Sequence, residues 1–321
     1  MWIVETLINN VSFAKKAVIN AIVKARTAPP RVAVTKTPAE YGMSFESLDI
    51  LSSDGIRLSA WEIPCKDSNK VLILNHPLMC NRYGTSKGLD GVNVEFLPMV
   101  KAMHEAGYSV ITYDQRGQGE SDGGLGKLKL GEKECPVGVG ATEWQDMVGV
   151  LKFLAAHETY AKCSVGLVTL CMGSNATLKA WKLAPETFEA LNIKAFVGIQ
   201  PVISNKMVSR MTKIKLGVDI SEEVAARMLE DFDLVGVDAT EYVGSVTVPA
   251  LFSQVKADVY TSDESGSDIQ AIYDACKSSQ KQLIWIGPDT DNEFGTGKRF
   301  DMYNYFSVKP EQLIEFLNEN F

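Results

Sequence analysis

Cys171 is the residue whose type and surroundings are best patterned for chemistry in this chain. The run Ser164–Leu170 (SVGLVTL) is continuously apolar, as a buried strand is, and a helical pattern follows at once through Leu183. Cys171 therefore falls on the turn between strand and helix. Thr169-Leu170-Cys171-Met172-Gly173 has the small–x–nucleophile–x–small form of a tight strand–turn–helix, in which large neighbours would collide. A helix that begins there aims its first amides and the positive end of its dipole at the thiol, which predicts a pKa below the value of about 8.5 for a free cysteine. The plainer alternative is a small buried apolar residue, and Thr169, bulkier than glycine, suits that alternative. The other cysteines, at 65, 80, 135, 163 and 276, stand at no Cys-x-x-Cys spacing, and no Cys/His group has the spacing of a zinc site. Free thiols, a cytoplasmic location and no metal are expected. Gly-x-Gly-x-x-Gly and Gly-Lys-Ser/Thr are both absent, so no nucleotide or flavin cofactor is expected. The supply of neutral-pH bases is small: three histidines, at 76, 104 and 157.

The elements that must position these groups alternate. Phe45–Leu51 and Ile56–Ile63 are predicted strands around Ser52-Ser53-Asp54-Gly55, a hairpin turn. Val71–Asn75, Ser109–Tyr113, Lys194–Ile199, Ala250–Gln254 and Gln282–Ile286 are further apolar strands. Helices are predicted over Val94–Ala106, Ala141–Ala156, Asp268–Lys277 and Lys309–Asn318. Such alternation predicts an α/β fold: a mostly parallel sheet with helices on both faces and an antiparallel edge at the opening hairpin. About residues 203–247 the alternation gives way to charged, helical sequence (SEEVAARMLEDF), which reads as an insertion and not as a second domain. Ahead of the sheet, residues 1–42 read as an amphipathic helix and a connector. Val4, Leu7, Ile8, Val11, Ala14, Val18 and Ile22 recur at helical spacing, with Lys15, Lys16, Lys24 and Arg26 toward the C-terminal end. That helix can dock on the body of the protein or on a second subunit. The alternative is a weak membrane contact, with Trp2 at the lipid boundary.

At these residues the chain resembles the α/β-hydrolase superfamily, over about residues 45–321. Leu74-Asn75-His76-Pro77 stands where that family has its His-Gly oxyanion turn. Asp114-Gln115-Arg116-Gly117-Gln118-Gly119-Glu120-Ser121 matches its Asp-x-Arg-Gly-x-Gly-x-Ser turn, Cys171 its nucleophile elbow, and Lys256-Ala257-Asp258 its acid position. A cysteine nucleophile resembles the dienelactone-hydrolase branch. The tail Arg299-Phe300-Asp301-x-Tyr303-Asn304-Tyr305-Phe306 resembles bacterial hydrolase-like proteins of undefined activity. The resemblance implies an α/β-hydrolase domain over residues 43–321 with a helical lid inserted about 203–247. It further implies Cys171 as nucleophile, Asp258 as acid, and the backbone amides of Leu78 and Met172 as the oxyanion hole. It also implies a histidine in the loop after the last strand, Gly287–Phe294. No histidine follows His157. His76 is implied as a structural member of the oxyanion loop, with an accessory role open to it. Asp289, Asp291 and Glu293 are candidates for the missing base, against the plain reading of a solvated acidic loop.

A thiol can still attack without a partner base, because it ionises near neutrality and is intrinsically nucleophilic. The expectation is therefore a Cys-dependent acyl hydrolase or acyltransferase acting on an activated ester, thioester or lactone. The alternatives are a lyase or cyclase on the same fold, or a non-catalytic binding protein, using the pocket without a covalent intermediate. Met207, Met211, Leu216, Val218 and Met228 in the insertion suggest an apolar lid, hence a small-molecule acyl or hydrophobic substrate. Of 321 residues, 45% are hydrophobic and 22% charged, which excludes a disordered chain; the net charge of −8 argues against nucleic acid as a partner. No transmembrane helix or signal peptide is expected.

Overall fold

The computed structural model describes residues 12–89, 92–125, 134–256, 258–287, 290, 294 and 299–321. Eight strands build the central sheet: β1 Glu46–Leu51, β2 Arg57–Ile63, β3 Lys70–Asn75, β4 Ser109–Tyr113, β5 Ser164–Leu170, β6 Asn192–Ile199, β7 Ala250–Val255 and β8 Lys281–Ile286. Their spatial order is β1-β2-β4-β3-β5-β6-β7-β8. The Asp54-Gly55 turn brings β1 back antiparallel on β2, with Glu46 opposite Glu62 and Leu51 opposite Arg57. β2 pairs antiparallel with β4, and every later pairing is parallel. The expected antiparallel edge and parallel body are therefore both present.

The apolar strands are buried on both faces because helices cover both. In β3, Val71 and Ile73 enter one core while Leu72 and Leu74 enter the other, as the two-residue period of a strand requires. Helices α2 (Leu97–Glu105), α8 (Asp301–Val308) and α9 (Glu311–Asn320) pack on one face through Met99, Met302, Phe306 and Leu313. Helices α3 (Trp144–Ala156), α4 (Met172–Leu183) and α7 (Asp268–Ala275) cover the other through Leu151, Leu178 and Ile272.

Two stretches differ from the sequence expectation. The helix predicted from Val94 starts at Leu97, where Pro98 sits in the first turn and its missing N–H costs nothing; Val92–Glu95 is instead a strand paired with Gly84–Leu89. Asp301–Val308, rich in aromatic residues with weak helix propensity, forms the eight-residue α8.

Between β6 and β7 lie α5 (Ser204–Leu216) and α6 (Ser221–Phe232). The N-terminal helix α1 (Ser12–Thr27) docks on them. Its Val18, Ile19, Ile22 and Val23 pack with Val208, Ile220, Val224 and Met228, and Lys15 pairs with Glu223. Trp2, Val4, Leu7, Ile8 and Val11 lie outside the described residues. Among the described residues no helix is long and apolar enough to cross a membrane.

Candidate active site

β5 ends at Leu170 and α4 begins at Met172, so one residue makes the whole turn. That residue, Cys171, has φ 46° and ψ −107°, a conformation disfavoured for any side chain and sustained only where the surroundings enforce it. They do so from three sides. The Cys171 N–H donates to the Ile199 carbonyl at the end of β6 (2.8 Å), and its own carbonyl accepts from Asn175 N–H (3.0 Å). A Cβ at Gly173 would collide with the Asn75 carbonyl oxygen at the end of β3, so only glycine lets α4 start this close to the sheet. Thr169 is accommodated because its hydroxyl donates to the Val197 carbonyl at 2.8 Å.

The turn after β4 is a structural lock. The Asp114 carboxylate accepts from Arg82 N–H (2.7 Å) and Glu120 N–H (2.8 Å) and pairs with the Arg82 guanidinium, while Arg116 pairs with Asp54 and Asp146. Gln115 N–H donates to His76 Nε2 (3.0 Å), and the other ring nitrogen of His76 lies 2.8 Å from the Pro77 carbonyl. Burial lowers this imidazole to about 4, so it is neutral and both nitrogens are spent on backbone. That corrects any accessory catalytic role for His76: it holds the loop that carries Leu78. His104 Nε2 lies 3.1 Å from the Pro64 carbonyl, and His157 stacks on Tyr160. No imidazole reaches the thiol. Asp289, Asp291 and Glu293 lie outside the described residues.

Cys171 opens on a cavity of about 470 Å³. Leu78 and Met79 form one side, Met207, Met211 and Leu216 of α5 another, and Tyr303 of α8 the base beside the sulfur. Val218 and Met228, expected in the same apolar surface, pack instead against α1. The remaining wall is α1 itself, through Val18, Ala21, Ile22, Ala25 and Arg26. The N-terminal helix is thus part of the site.

Around the sulfur stand a phenol, a helix amide, a cation and a carboxylate. The Tyr303 hydroxyl and the Met172 N–H are both in hydrogen-bond contact with Cys171. Met172 is the first residue of α4, and the N–H there has no intrahelical acceptor. Asp258, buried after β7, accepts from Gln200 Nε2 (3.1 Å) and Tyr260 N–H (3.0 Å) and lies 3.5 Å from Arg299 Nε. Where the family resemblance implies an acid orienting a histidine, Asp258 thus faces Gln200 and Arg299.

The expected lowering of the thiol does not occur. Burial pushes Cys171 above the ordinary thiol value, and the Arg299 charge, the Tyr303 hydroxyl and the Met172 amide offset that only in part. Burial, together with the neighbouring thiol, likewise pushes the Tyr303 phenol well above its usual value, so it stays neutral. Tyr303, Arg299 and Arg26 were not identified as site residues from the sequence. Tyr303 is one of several titratable residues in the Arg299–Phe306 tail, and nothing in the sequence singles it out; Arg26 carried no signal beyond its place near a helix end. Among the described residues no cluster of three or more His, Cys, Asp or Glu is placed to hold a metal.

No family model and no curated protein matches the chain. Solved structures do. An esterase of Pyrococcus furiosus is 20% identical over 92% of this chain and 98% of its own, with a TM-score of 0.65. Est1E of Butyrivibrio proteoclasticus, with ferulic acid bound, is 17% identical over 85% and 98%, at 0.54. A dienelactone hydrolase of Anabaena variabilis is 13% identical over 87% and 99%, at 0.51. At these identities the likeness is one of architecture: the chain has the α/β-hydrolase fold.

Proposed function

We propose that this is an α/β-hydrolase-fold enzyme in which Cys171 takes up the acyl group of an activated ester, thioester or lactone, as an acyl hydrolase or acyltransferase. The observation that carries the proposal is the strained Cys171 on the floor of an apolar cavity, with a phenol and a helix amide at its sulfur. Strain of this kind is kept where a side chain must be presented at one place. The thiolate attacks the carbonyl carbon, a carbon–sulfur bond forms, and the oxygen takes the charge toward the amides of Leu78 and Met172. Collapse of that intermediate expels the leaving group, which carries the electron pair of the broken bond. Donors of an oxyanion hole contribute about 3 kcal/mol each.

Tyr303 stands at the sulfur in place of an imidazole. Its phenol is too weak an acid to exist as a base near neutrality, so it donates to the thiolate and does not remove the thiol proton. Good leaving groups, which depart unprotonated, are therefore the substrates this site suits; simple alkyl esters are not. The esterases and the dienelactone hydrolase among the structural neighbours fit a carbonyl substrate.

One observation favours a second reading, a lyase, cyclase or binding protein with no covalent step: burial holds the thiol protonated and no imidazole is in reach. Turnover separates the two. At pH 8, hydrolysis of 4-nitrophenyl octanoate should fall by about a hundredfold or more in Cys171→Ala, while Cys171→Ser keeps the fold and little of the rate. Undiminished turnover in Cys171→Ala would leave only the non-covalent reading.

A further inference from the structure

Every buried arginine in the described part of the chain but one has a carboxylate. Arg82 pairs with Asp114 and Glu120, Arg116 with Asp54 and Asp146, and Arg210 with Asp263 and Asp268. Arg26 is the exception. It is 7% exposed, and among the described residues its only hydrogen bond is one of 3.3 Å from Nη2 to the Ser204 hydroxyl, with no partner for its Nε. Glu143 acts on it electrostatically, but the Glu143 oxygens accept from Gly138 N–H and Gly140 N–H, both at 2.7 Å. A buried guanidinium with no carboxylate on it is costly, and its place in the last turn of α1, at the negative end of that helix, offsets the cost only in part.

Arg26 faces the cavity that Cys171 opens on. Burial lowers it only to about 10, so it is a cation at neutral pH. The other cations of that cavity are placed differently: Arg299 is engaged with Asp258, and Lys215 is exposed at the rim, 5.8 Å from the Tyr260 ring centroid. The thiolate of Cys171 is within electrostatic reach of Arg26, but burial keeps that thiol protonated, so it is no standing counter-ion.

We infer that Arg26 is a specificity residue that pairs with an anionic group of the ligand, and that the cavity takes a molecule with an apolar body and a carboxylate. One guanidinium neutralises one unit of charge and presents a fork that matches a carboxylate, which fits this group better than a doubly charged phosphate. The apolar body meets Met207, Met211 and Ile22. The inference rests on the proposed use of this cavity as the substrate site, and not on covalent chemistry at Cys171.

Binding is the test, with decanoate and decanol as probes titrated calorimetrically into the 321-residue protein at pH 8. Decanoate should bind at least about tenfold more tightly than decanol, and Arg26→Gln should remove that difference while leaving decanol binding in place. Arg26→Lys, which keeps the charge and loses the fork, should retain part of the preference, and it decides the matter if Arg26→Gln does not fold. Equal binding of the two probes by the wild-type protein, or a preference that survives in Arg26→Gln or is undiminished in Arg26→Lys, overturns the inference. So does an Arg26→Gln protein that keeps the preference and shifts only the pH profile of Cys171 alkylation, because the cation would then serve the thiolate. Acylation of Cys171 by a neutral aryl ester, read separately by mass spectrometry on the wild-type protein, distinguishes a failure of this inference from a failure of the proposed covalent chemistry.

Discussion

At Cys171 two effects compete for the sulfur. Removal from water favours the neutral thiol; the Arg299 charge, the Tyr303 hydroxyl and the Met172 amide favour the thiolate, and burial is the larger. The consequence is a pH dependence. Acylation of Cys171 should climb about tenfold per pH unit and keep climbing where a free thiol levels off, near 8.5. Tyr303→Phe removes one donor to the thiolate, so the folded-state pKa moves further up and the profile moves to higher pH. A hydrogen bond to a charged group contributes about 1.5–3 kcal/mol, so at pH 8 acylation should slow by roughly tenfold or more. Stopped-flow acylation by 4-nitrophenyl acetate across pH 6–10 reads both. An unchanged profile in Tyr303→Phe would remove the phenol from the chemistry.

Among the elements, α1 has two attachments and a wall to make. It covers α5 and α6 through Val18, Ile19, Ile22 and Val23, and it presents Arg26 to the cavity. The two large cores of the sheet contain none of these residues. Deleting residues 1–28 should therefore leave a cooperative unfolding transition, lowered by roughly 3–5 kcal/mol for the lost burial, and should abolish selective decanoate binding. Thermal unfolding followed by circular dichroism checks the first outcome; a broad, non-cooperative melt would place α1 in the main core. The amphipathic period of this helix was readable from Ala14, Val18 and Ile22, because one apolar stripe leaves a clear mark. Which surface it covers was not, because that depends on the insertion folding opposite it. The strands were legible for a similar reason: continuous apolar runs such as SVGLVTL and VLILN bury on both faces and admit few other structures. Val94 and Glu95, expected to open a helix, belong to the strand Val92–Glu95, because a short, mixed segment is settled by its hairpin partner and not by its own pattern.

Across the whole molecule, the elbow was legible in a five-residue pattern, since a tight turn against the sheet needs small neighbours, and Gly173 shows why. The electrostatics were not legible. The local rule predicted a lowered thiol from the helix start, whereas the packing of α8, the insertion and α1 around the sulfur sets its actual environment. Tyr303 and Arg26 lie 132 and 145 residues from Cys171 in sequence, and only the folded chain brings them together. This global arrangement makes a claim about all six thiols. Cys65 and Cys135 are the more exposed, and a soluble, charged alkylating reagent should reach them first. An apolar acyl donor should instead be concentrated by the cavity that only Cys171 lines among the cysteines. The most direct measurement is peptide mapping after brief exposure to 4-nitrophenyl octanoate at pH 8. An octanoyl adduct is expected on Cys171 ahead of every other thiol; adducts on Cys65 or Cys135 with Cys171 unmodified would rule out Cys171 as the acyl acceptor.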